Sequence, residues 1–386
     1  MTEWKEYKLG ELTIDGKGSY GIAAPAVDYD SNKYTYLRIT DINDDGTLNK
    51  SGLKSVDDKN AHKYLLQQND IVFARTGASV GRSYFYDERD GELVYAGFLI
   101  KYSIDPTKVN PKILKFYTHS QAYYDWIQTV DNGATRGNIN AQTYASMPII
   151  LPERHEQDRI VSILSSLDDK IDLLHRENAT LELMAETFFR QWFVVEAKEE
   201  WKEGKLGDIC NYVTEKIDIV NVETGDYIST ENMCSNKQGV VQASSVPENG
   251  KATRYRIDDV LLSNIRPYFK KIWLSDREGG CSADVLCIRS KNELYAFFSY
   301  YTIRQDEFFD YVMLGSKGCK MPRGDKSHIM NWPIIIPTKD ILLNFNRIVS
   351  DGIDKIRSNK QQIQTLIQTR DGLLPKLMNN EITIEV

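Results

Sequence analysis

The chain has 386 residues, of which 48 are Lys or Arg and 55 are Asp or Glu, so its formal net charge is −7. Since domains average roughly 150 residues, this length predicts two or three of them, and a composition with 41% hydrophobic and 27% charged residues excludes wholesale disorder. No apolar run approaches the ~20 residues of a membrane span, and five cysteines without CxxC spacing favour a reducing cytosol over a disulfide framework or a zinc site.

Six short segments of the first half recur in the same order in the second half. The pairs are 4–12 with 201–209, 70–75 with 259–264, 136–138 with 323–325, 147–152 with 332–337, 159–162 with 347–350, and 169–171 with 354–356. Their offsets lie between 185 and 197 residues. A shared order with so little drift indicates a duplicated plan with insertions and deletions in the loops.

Each repeat starts with short β-type runs that are separated by turns rich in Gly, Asn and Asp. A strand framed by two prolines ends this section, and a stretch poor in Gly and Pro then predicts a long helix. We therefore expect an α/β fold of the mixed α+β kind. Its predicted parts are globular domains at 1–152 and 201–337, a central helix and linker at 153–200, and a C-terminal helix and tail at 338–386.

The first predicted helix carries apolar residues spaced alternately four and three apart. This 3.5-residue period is typical of a coiled-coil seam. The seam consists of Ile160, Leu164, Leu167, Ile171, Leu174, Asn178, Leu181, Ala185, Phe188 and Trp192. Its single polar member, Asn178, occupies an a position, where a lone Asn commonly fixes the register of the two helices.

The second predicted helix repeats this pattern, with Lys360 and Arg370 as polar seam members and with Pro375 expected to help end the helix. The apolar seam positions are Val349, Ile353, Ile356, Ile363, Ile367, Leu374 and Leu377. Two such helices in one chain predict an antiparallel intramolecular coiled coil with pseudo-two-fold symmetry. The alternative is that each helix packs only on its own globular domain.

Motifs that carry catalysis are missing from the sequence. It contains no GxxxxGK[ST], no GxGxxG after a strand, no HExxH, and no Asn/Asp-Pro-Pro-aromatic sequence. Glu196-Ala197-Lys198 has the ExK spacing of many nucleases, but it follows a helix in a charged linker rather than lying on a strand. We therefore expect a binding or scaffolding protein, with no catalytic and no metal-binding residues of its own.

Loops that combine Gly with Arg, Lys and small hydroxyl residues occur at equivalent places in both repeats. Gly lets backbone amides approach a phosphate, and Arg, Asn and Gln can pair with base edges. These loops therefore predict contacts with DNA. The candidate residues are Arg75, Thr76, Ser79, Arg82, Arg136 and Asn138 in the first repeat, and Arg266, Lys270, Lys271, Lys317, Lys320, Arg323 and Lys326 in the second.

Taken together, these features resemble the specificity subunits of type I restriction–modification systems. The resemblance is carried by 4–12 and its copy at 201–209, by 70–82, by 148–152 leading into the first helix, by 168–171, and by 370–382. The second repeat departs from the pattern in having Thr338-Lys339-Asp340 where the first has the Glu-Gln helix start, and Asn264-Ile265-Arg266 where the first has Arg-Thr-Gly.

The resemblance implies that each globular domain is a target-recognition domain reading one half of a bipartite, asymmetric DNA site. It implies that the coiled coil sets the gap between the half-sites and docks two modification subunits, which restriction subunits join in the full complex. S-adenosylmethionine, ATP and Mg²⁺ would then belong to those partner subunits and none to this chain, which would work in the cytoplasm without membrane contact.

The charge distribution bears on this interpretation. Residues 153–200 hold 12 acidic and 6 basic side chains, a net charge of 6 − 12 = −6, so most of the negative charge lies on the central helix and its exit. The overall acidity therefore does not exclude DNA binding by the globular domains. Two other classes stay open: a duplicated scaffold that binds protein, and a self-contained nuclease or methyltransferase.

Overall fold

The computed structural model describes residues 4–131, 138–318, 320–379 and 381–382. The chain divides into two compact units, of which unit 1 comprises Met1–Leu173 with Ile363–Val386 and unit 2 comprises Leu174–Gln362. Both unit boundaries fall inside long helices, so the structure shares these helices between the units. No helix in the described ranges has both the length and the apolar composition that crossing a bilayer requires.

Unit 1 is built on short strands arranged in one two-stranded and two four-stranded sheets. The strands are β1 (Lys5–Lys8), β2 (Ser19–Tyr20), β3 (Ala26–Asp28), β4 (Thr35–Leu37), β5 (Lys54–Val56), β6 (Asp70–Ala74), β7 (Ser83–Phe85), β8 (Leu93–Tyr95), β9 (Leu99–Ser103) and β10 (Pro148–Leu151). The sheets have the orders β1-β10, β2-β9-β6-β7 and β3-β5-β4-β8. β4 and β8 are parallel, and the other neighbours are antiparallel.

The central strand of unit 1, β6, is buried along its whole length. Its Phe73 stacks on Tyr144 with ring centroids 4.7 Å apart, and Tyr102 approaches the same ring edge-on. Such aromatic pairs add to the stabilisation from burial alone. The helices of this unit are α1 (Ile113–Tyr117), α2 (Gln121–Asp131), α3 (Ala141–Ala145), the first part of α4 (Arg154–Arg190) and the end of the C-terminal helix from Ile363 onward.

Unit 2 repeats this plan with one change in strand order. Its strands are β11 (Lys202–Lys205), β12 (Cys210–Tyr212), β13 (Lys216–Asp218), β14 (Tyr227–Ile228), β15 (Lys251–Tyr255), β16 (Val260–Ser263), β17 (Ile272–Leu274), β18 (Gly279–Cys281), β19 (Val285–Ser290) and β20 (Pro333–Ile336). The orders β11-β20 and β12-β19-β16-β17 match unit 1, whereas the third sheet has the order β13-β15-β18-β14. The helices are the second part of α4, α5 (Leu206–Ile209), α6 (Ala296–Ile303), α7 (Asp306–Leu314), α8 (Lys326–Met330) and most of α9 (Lys339–Met378).

A buried carboxylate at the start of the central strand recurs in both units. In unit 1, Asp70 accepts a hydrogen bond from the Gln67 amide at 2.8 Å and pairs with Lys101 at 3.1 Å. In unit 2, Asp259 accepts from the Arg256 amide at 2.7 Å and pairs with Arg289. Equivalent bonds at equivalent positions support the duplication that the sequence predicts.

The two long helices run antiparallel within each unit, as predicted. In unit 1, Leu164 and Leu374 lie in the same core, and Arg370 pairs with Asp168 at 3.0 Å. In unit 2, Phe189 packs against Phe345 with ring centroids 6.1 Å apart. Ile160, Leu164, Leu174, Ile353, Ile356, Ile363 and Leu374 are buried, and Leu167, Ile171, Asn178, Leu181 and Ile367 are half-buried. The helices also pack on the globular domains. The alternative prediction, that each helix packs only on its own globular domain, therefore describes part of the observed packing.

One position of the predicted second seam is wrong. Lys360 is exposed and pairs with Asp276 at 3.3 Å, whereas its neighbour Asn359 is 1% exposed. The Asn359 side-chain amide donates to Asn178 Oδ1 and to Glu177 Oε2, each at 2.9 Å. The seam polar residue that faces Asn178 is therefore Asn359, because the spacing of buried residues here is 353, 356, 359 and 363.

The second helix also continues through Pro375 to Met378. Proline in a helix removes one amide donor and crowds the preceding turn. Here the residue whose carbonyl loses that donor, Asp371, is exposed, and Leu374, Leu377 and Met378 are buried in the unit 1 core. Burial of these side chains holds the last turn in helical form.

At one equivalent position, the charged contact between helix and globular domain has opposite signs in the two units. In unit 1, the helix supplies Asp172, which pairs with Arg89 at 3.1 Å, and the neighbouring Asp168 pairs with Lys115 at 2.5 Å. In unit 2, Arg357 pairs with Asp258 at 2.7 Å, whereas elsewhere the helices of this unit supply acidic partners, as Glu186 does for Arg304. Positions 172 and 357 are equivalent at the 185-residue offset, so the two units differ in the sign of this one contact.

Asp168 gives the stability of unit 1 a defined pH dependence. Burial opposes its ionisation, but Lys115 and Arg370 hold its pKa below the ordinary value. A lowered pKa contributes stability that is fully present above the unfolded-state pKa, and this contribution is lost as the pH falls through the lowered folded-state pKa. In urea unfolding at pH 7 and pH 3, Asp168→Asn should show a smaller loss of stability on acidification than the wild type, while the exposed Asp15→Asn should behave as wild type. Equal losses in all three proteins would contradict this role.

The buried amide cluster predicts a specific stability cost. Asn359→Ala removes both hydrogen bonds and leaves the Glu177 carboxylate and the Asn178 amide oxygen without this donor. Loss of a buried partner costs about 1–3 kcal/mol. Ser358→Ala, at the exposed neighbouring position, should stay within about 0.5 kcal/mol of wild type. Chemical denaturation of both variants measures the difference, and an Asn359→Ala variant as stable as the Ser358→Ala control would refute the assignment.

Candidate nucleic-acid interface

In each unit the structure brings together the two loops that the sequence singles out. The loop after β6 bridges to the segment before α3 through Thr76 and Asn138, and the Ile139 amide donates to the Arg75 carbonyl at 2.9 Å. In unit 2, Ile265 and Arg323 form the same bridge. The paired loops 75–82 with 138–140 are called the unit 1 loop pair below, and the paired loops 264–271 with 315–318 and 320–326 are called the unit 2 loop pair.

The geometry corrects the predicted correspondence between the second loops. The bridges make Asn138 equivalent to Arg323, and the helix N-caps make Asn140 equivalent to Asp325, both at an offset of 185. The predicted equivalence of 136–138 with 323–325 is therefore wrong by two residues. Arg136 itself lies outside the described residues. The offset of 185 that the next strand shows, 148 against 333, is the sequence signal that could have found Asn140.

Each N-cap fixes the start of a short helix beside the loops. Asn140 accepts from the Thr143 amide at 2.9 Å. Asp325 accepts from the amides of Ser327 and His328 at 2.9 and 3.0 Å. The His328 amide and the Lys317 ammonium group lower the pKa of Asp325. In each unit, the N-cap holds one end of the second loop, and the backbone bridge to the first loop holds it a few residues earlier.

Among the predicted unit 1 residues, Arg75 is the best placed for a ligand. Its guanidinium lies over the Tyr20 ring, 5.0 Å from the centroid, and its buried Nε has no hydrogen-bond partner within the described ranges. Arg82 instead pairs with Asp44 at 2.7 Å, and the Ser79 side chain is buried. Thr76 and Asn138 contribute the backbone bridge, with Asn138 exposed.

In unit 2 the predicted cations fall into two groups. Lys270 pairs with Asp306 at 2.8 Å, and Lys271 donates to the Thr230 carbonyl at 2.6 Å, so both side chains are engaged inside the unit. The other cations are exposed, with neighbours at the loop rim: Lys317 near Asp325, Arg323 near Asp284, and Lys326 over the Tyr212 ring, together with Lys320 and Arg266.

One polar atom without a partner occurs at the same position of both loop pairs. It is Arg75 Nε in unit 1 and Asn264 Oδ1 in unit 2, two of the five such buried atoms among the described residues. Buried polar groups normally find a partner, and exceptions call for an explanation such as a ligand or strain. Gly324 leaves room above Asn264, since a Cβ there would lie 2.9 Å from Asn264 Oδ1. The sequence predicted neither Asn264 nor Tyr20 as a DNA contact, although Asn264 begins one of the candidate loops.

Comparison with known proteins agrees with this architecture. The family model of the type I restriction modification DNA specificity domain matches residues 1–183. The MjaIX type I restriction enzyme specificity subunit of Methanocaldococcus jannaschii is 26% identical over 68% of this chain and 66% of its own length. The HindI specificity subunit of Haemophilus influenzae is 22% identical over 99% of this chain and its whole length.

A solved structure shares the fold. The type I restriction–modification S subunit from M. genitalium superposes with a TM-score of 0.56 at 14% identity, covering 97% of this chain and 96% of that one. The chain is thus similar to the type I restriction modification DNA specificity domain over residues 1–183, and to type I specificity subunits over most of its length.

The unit 2 loop pair stores backbone strain at Arg266, whose φ of 50° lies in the left-handed region. That conformation costs a non-glycine residue about 1–2 kcal/mol. Arg266→Gly should therefore leave the unfolding free energy equal to or above that of Arg266→Ala, although glycine normally destabilises a loop through entropy. Thermal unfolding of the two variants checks this order. A clearly less stable glycine variant would show that position 266 carries no strain.

Proposed function

We propose that the chain is the DNA sequence-specificity subunit of a type I restriction–modification complex, with each unit reading one half of a bipartite site. The observation that carries the proposal is the recurrence of one loop pair in both units, with cationic side chains and an unpartnered polar atom at the same position. The similarity to type I specificity subunits supports it.

The loop pairs suit recognition of base edges and phosphates together. Arginine forms bidentate bonds with guanine, and Asn does so with adenine. Arg75 in unit 1 and Arg266 and Arg323 in unit 2 are the side chains best placed for bases, while Lys317, Lys320 and Lys326 suit phosphates. The different residues at 75 and 264 fit an asymmetric site, since each unit presents its own donors and acceptors.

The long helices would act as the spacer and the docking surface. A helix rises 1.5 Å per residue, so matched insertions in both helices should change the gap between half-sites. The acidic charge of 153–200 suits contact with partner subunits rather than DNA. Two modification subunits, joined by restriction subunits, would supply S-adenosylmethionine, ATP and Mg²⁺, while this chain catalyses nothing and works in the cytoplasm.

Binding of the chain, assembled with its modification subunits, to a random duplex library followed by sequencing tests this function. We expect a two-part motif whose binding weakens as salt rises, because phosphate contacts release counterions. Arg323→Ala should weaken binding by about 1–3 kcal/mol and relax one half of the motif, and Arg75→Ala the other half.

The matched controls are Lys251→Ala in unit 2 and Lys59→Ala in unit 1, both exposed and outside the loop pairs. They should leave the motif unchanged. Selection of no motif by the wild-type assembly would favour a protein-binding scaffold, and a motif that both Arg variants leave intact would refute the assignment of the loop pairs.

A further inference from the structure

Two adjacent aromatic side chains are exposed at the tip of the unit 2 loop pair. Tyr268 is 47% and Phe269 37% exposed, and their ring centroids are 4.7 Å apart. They sit on the single 3₁₀ turn Pro267–Phe269, whose proline is buried. Exposed large apolar groups that neighbour one another mark contact surfaces more often than isolated ones do.

The turn is held by strained backbone on both sides. Of the six described non-glycine residues with positive φ, four lie here: Arg266 and Lys270 flank the turn, and Asn236 and Lys237 lie on the neighbouring loop. Such residues each cost about 1–3 kcal/mol and cluster where a ligand is held. Their concentration at this turn therefore points to a role in binding.

The neighbouring loop supports the turn directly. The Asn236 amide donates to the Phe269 carbonyl at 2.8 Å, and the Lys237 amide donates to the Lys270 carbonyl at 2.9 Å. The ammonium groups of Lys237 and Lys270 both lie 2.8 Å from Asp306. The turn thus keeps one conformation before any ligand arrives, which lowers the entropy cost of binding.

Two arginines, Arg266 and Arg323, lie beside the aromatic pair. The Arg266 amide donates to the Pro322 carbonyl at 2.8 Å, which places the turn next to the exposed Arg323. Guanidinium groups read the major groove, where the C5-methyl group of thymine is the apolar feature of the base edges. More than half of each ring is covered, so the rings present a surface rather than a free wedge of the kind that inserts between base pairs.

We propose that Tyr268 and Phe269 contact a thymine methyl group in the half-site that unit 2 reads. This rests on the proposed function and adds an apolar specificity contact to it. This contact accounts for the strained backbone at Arg266 and Lys270. The turn between them must present both rings to a base edge while Arg266 and Arg323 contact the neighbouring positions of the site.

Replacing each thymine of the selected site in turn by deoxyuridine, which lacks only the methyl group, tests the contact. Arg323→Ala first identifies the half-site that unit 2 reads. At one thymine of that half, deoxyuridine should weaken wild-type binding about fourfold, as expected for one buried methyl group. The Tyr268→Ala/Phe269→Ala double variant should bind both duplexes alike, and Val220→Ala, at an exposed apolar position elsewhere in unit 2, should retain the fourfold difference.

The uracil scan itself is read on the wild type, and Arg323→Ala serves only to assign the half-site. If the wild type selects its site but no deoxyuridine in this half weakens binding, or if the double variant keeps the full effect, the thymine contact is refuted while the proposed function stands. A rise in 2-aminopurine fluorescence on wild-type binding that the double variant abolishes would show base unstacking by the rings, and would also overturn the contact. A wild type that selects no sequence contradicts the proposed function itself.

Discussion

Neither globular core closes without helix segments that lie far away in the sequence. In unit 1, Leu374 and Leu377 from the end of the chain pack with Leu9 and Leu164. In unit 2, Phe189 packs with Phe345, and Trp201 joins the same core. Apolar burial of this kind is the main favourable term in folding. Antiparallel pairing of the two long helices is therefore a condition for both domains, and the position of each loop pair depends on it.

Charge adds selectivity to the contact between each globular domain and its long helix. Asp172 and Arg357 occupy equivalent positions and contact domains of opposite local charge through Arg89 and Asp258. Exposed pairs contribute little to stability individually, but like charges in the wrong combination are repelled. The charges at 172 and 357 therefore distinguish the two duplicated halves, whose helices could otherwise pack on either domain. The two halves differ in the same way at the loop pairs, where Arg75 in unit 1 corresponds to Asn264 in unit 2.

The sequence predicted the mixed fold, the duplication and most of the helix seam, because periodicity and repeated motifs report burial directly. It missed Asn359 because the regular heptad spacing predicts a seam residue at 360, whereas the buried position is 359. Lys360 instead extends to the surface and pairs with Asp276. It also could not separate engaged from exposed cations. Lys270 and Lys271 are held by Asp306 and the Thr230 carbonyl, partners 36 and 41 residues away that no local pattern reveals.

The central claim is that two loop pairs on one chain each specify half of a DNA site. Sequencing of methylated bases in a host that carries the chain with its modification subunits, compared with the same host lacking the chain, tests this most directly. The account predicts one asymmetric motif, made of two short specified blocks separated by an unspecified gap of constant length, that disappears without the chain. A single continuous motif, or methylation that does not depend on the chain, would contradict it.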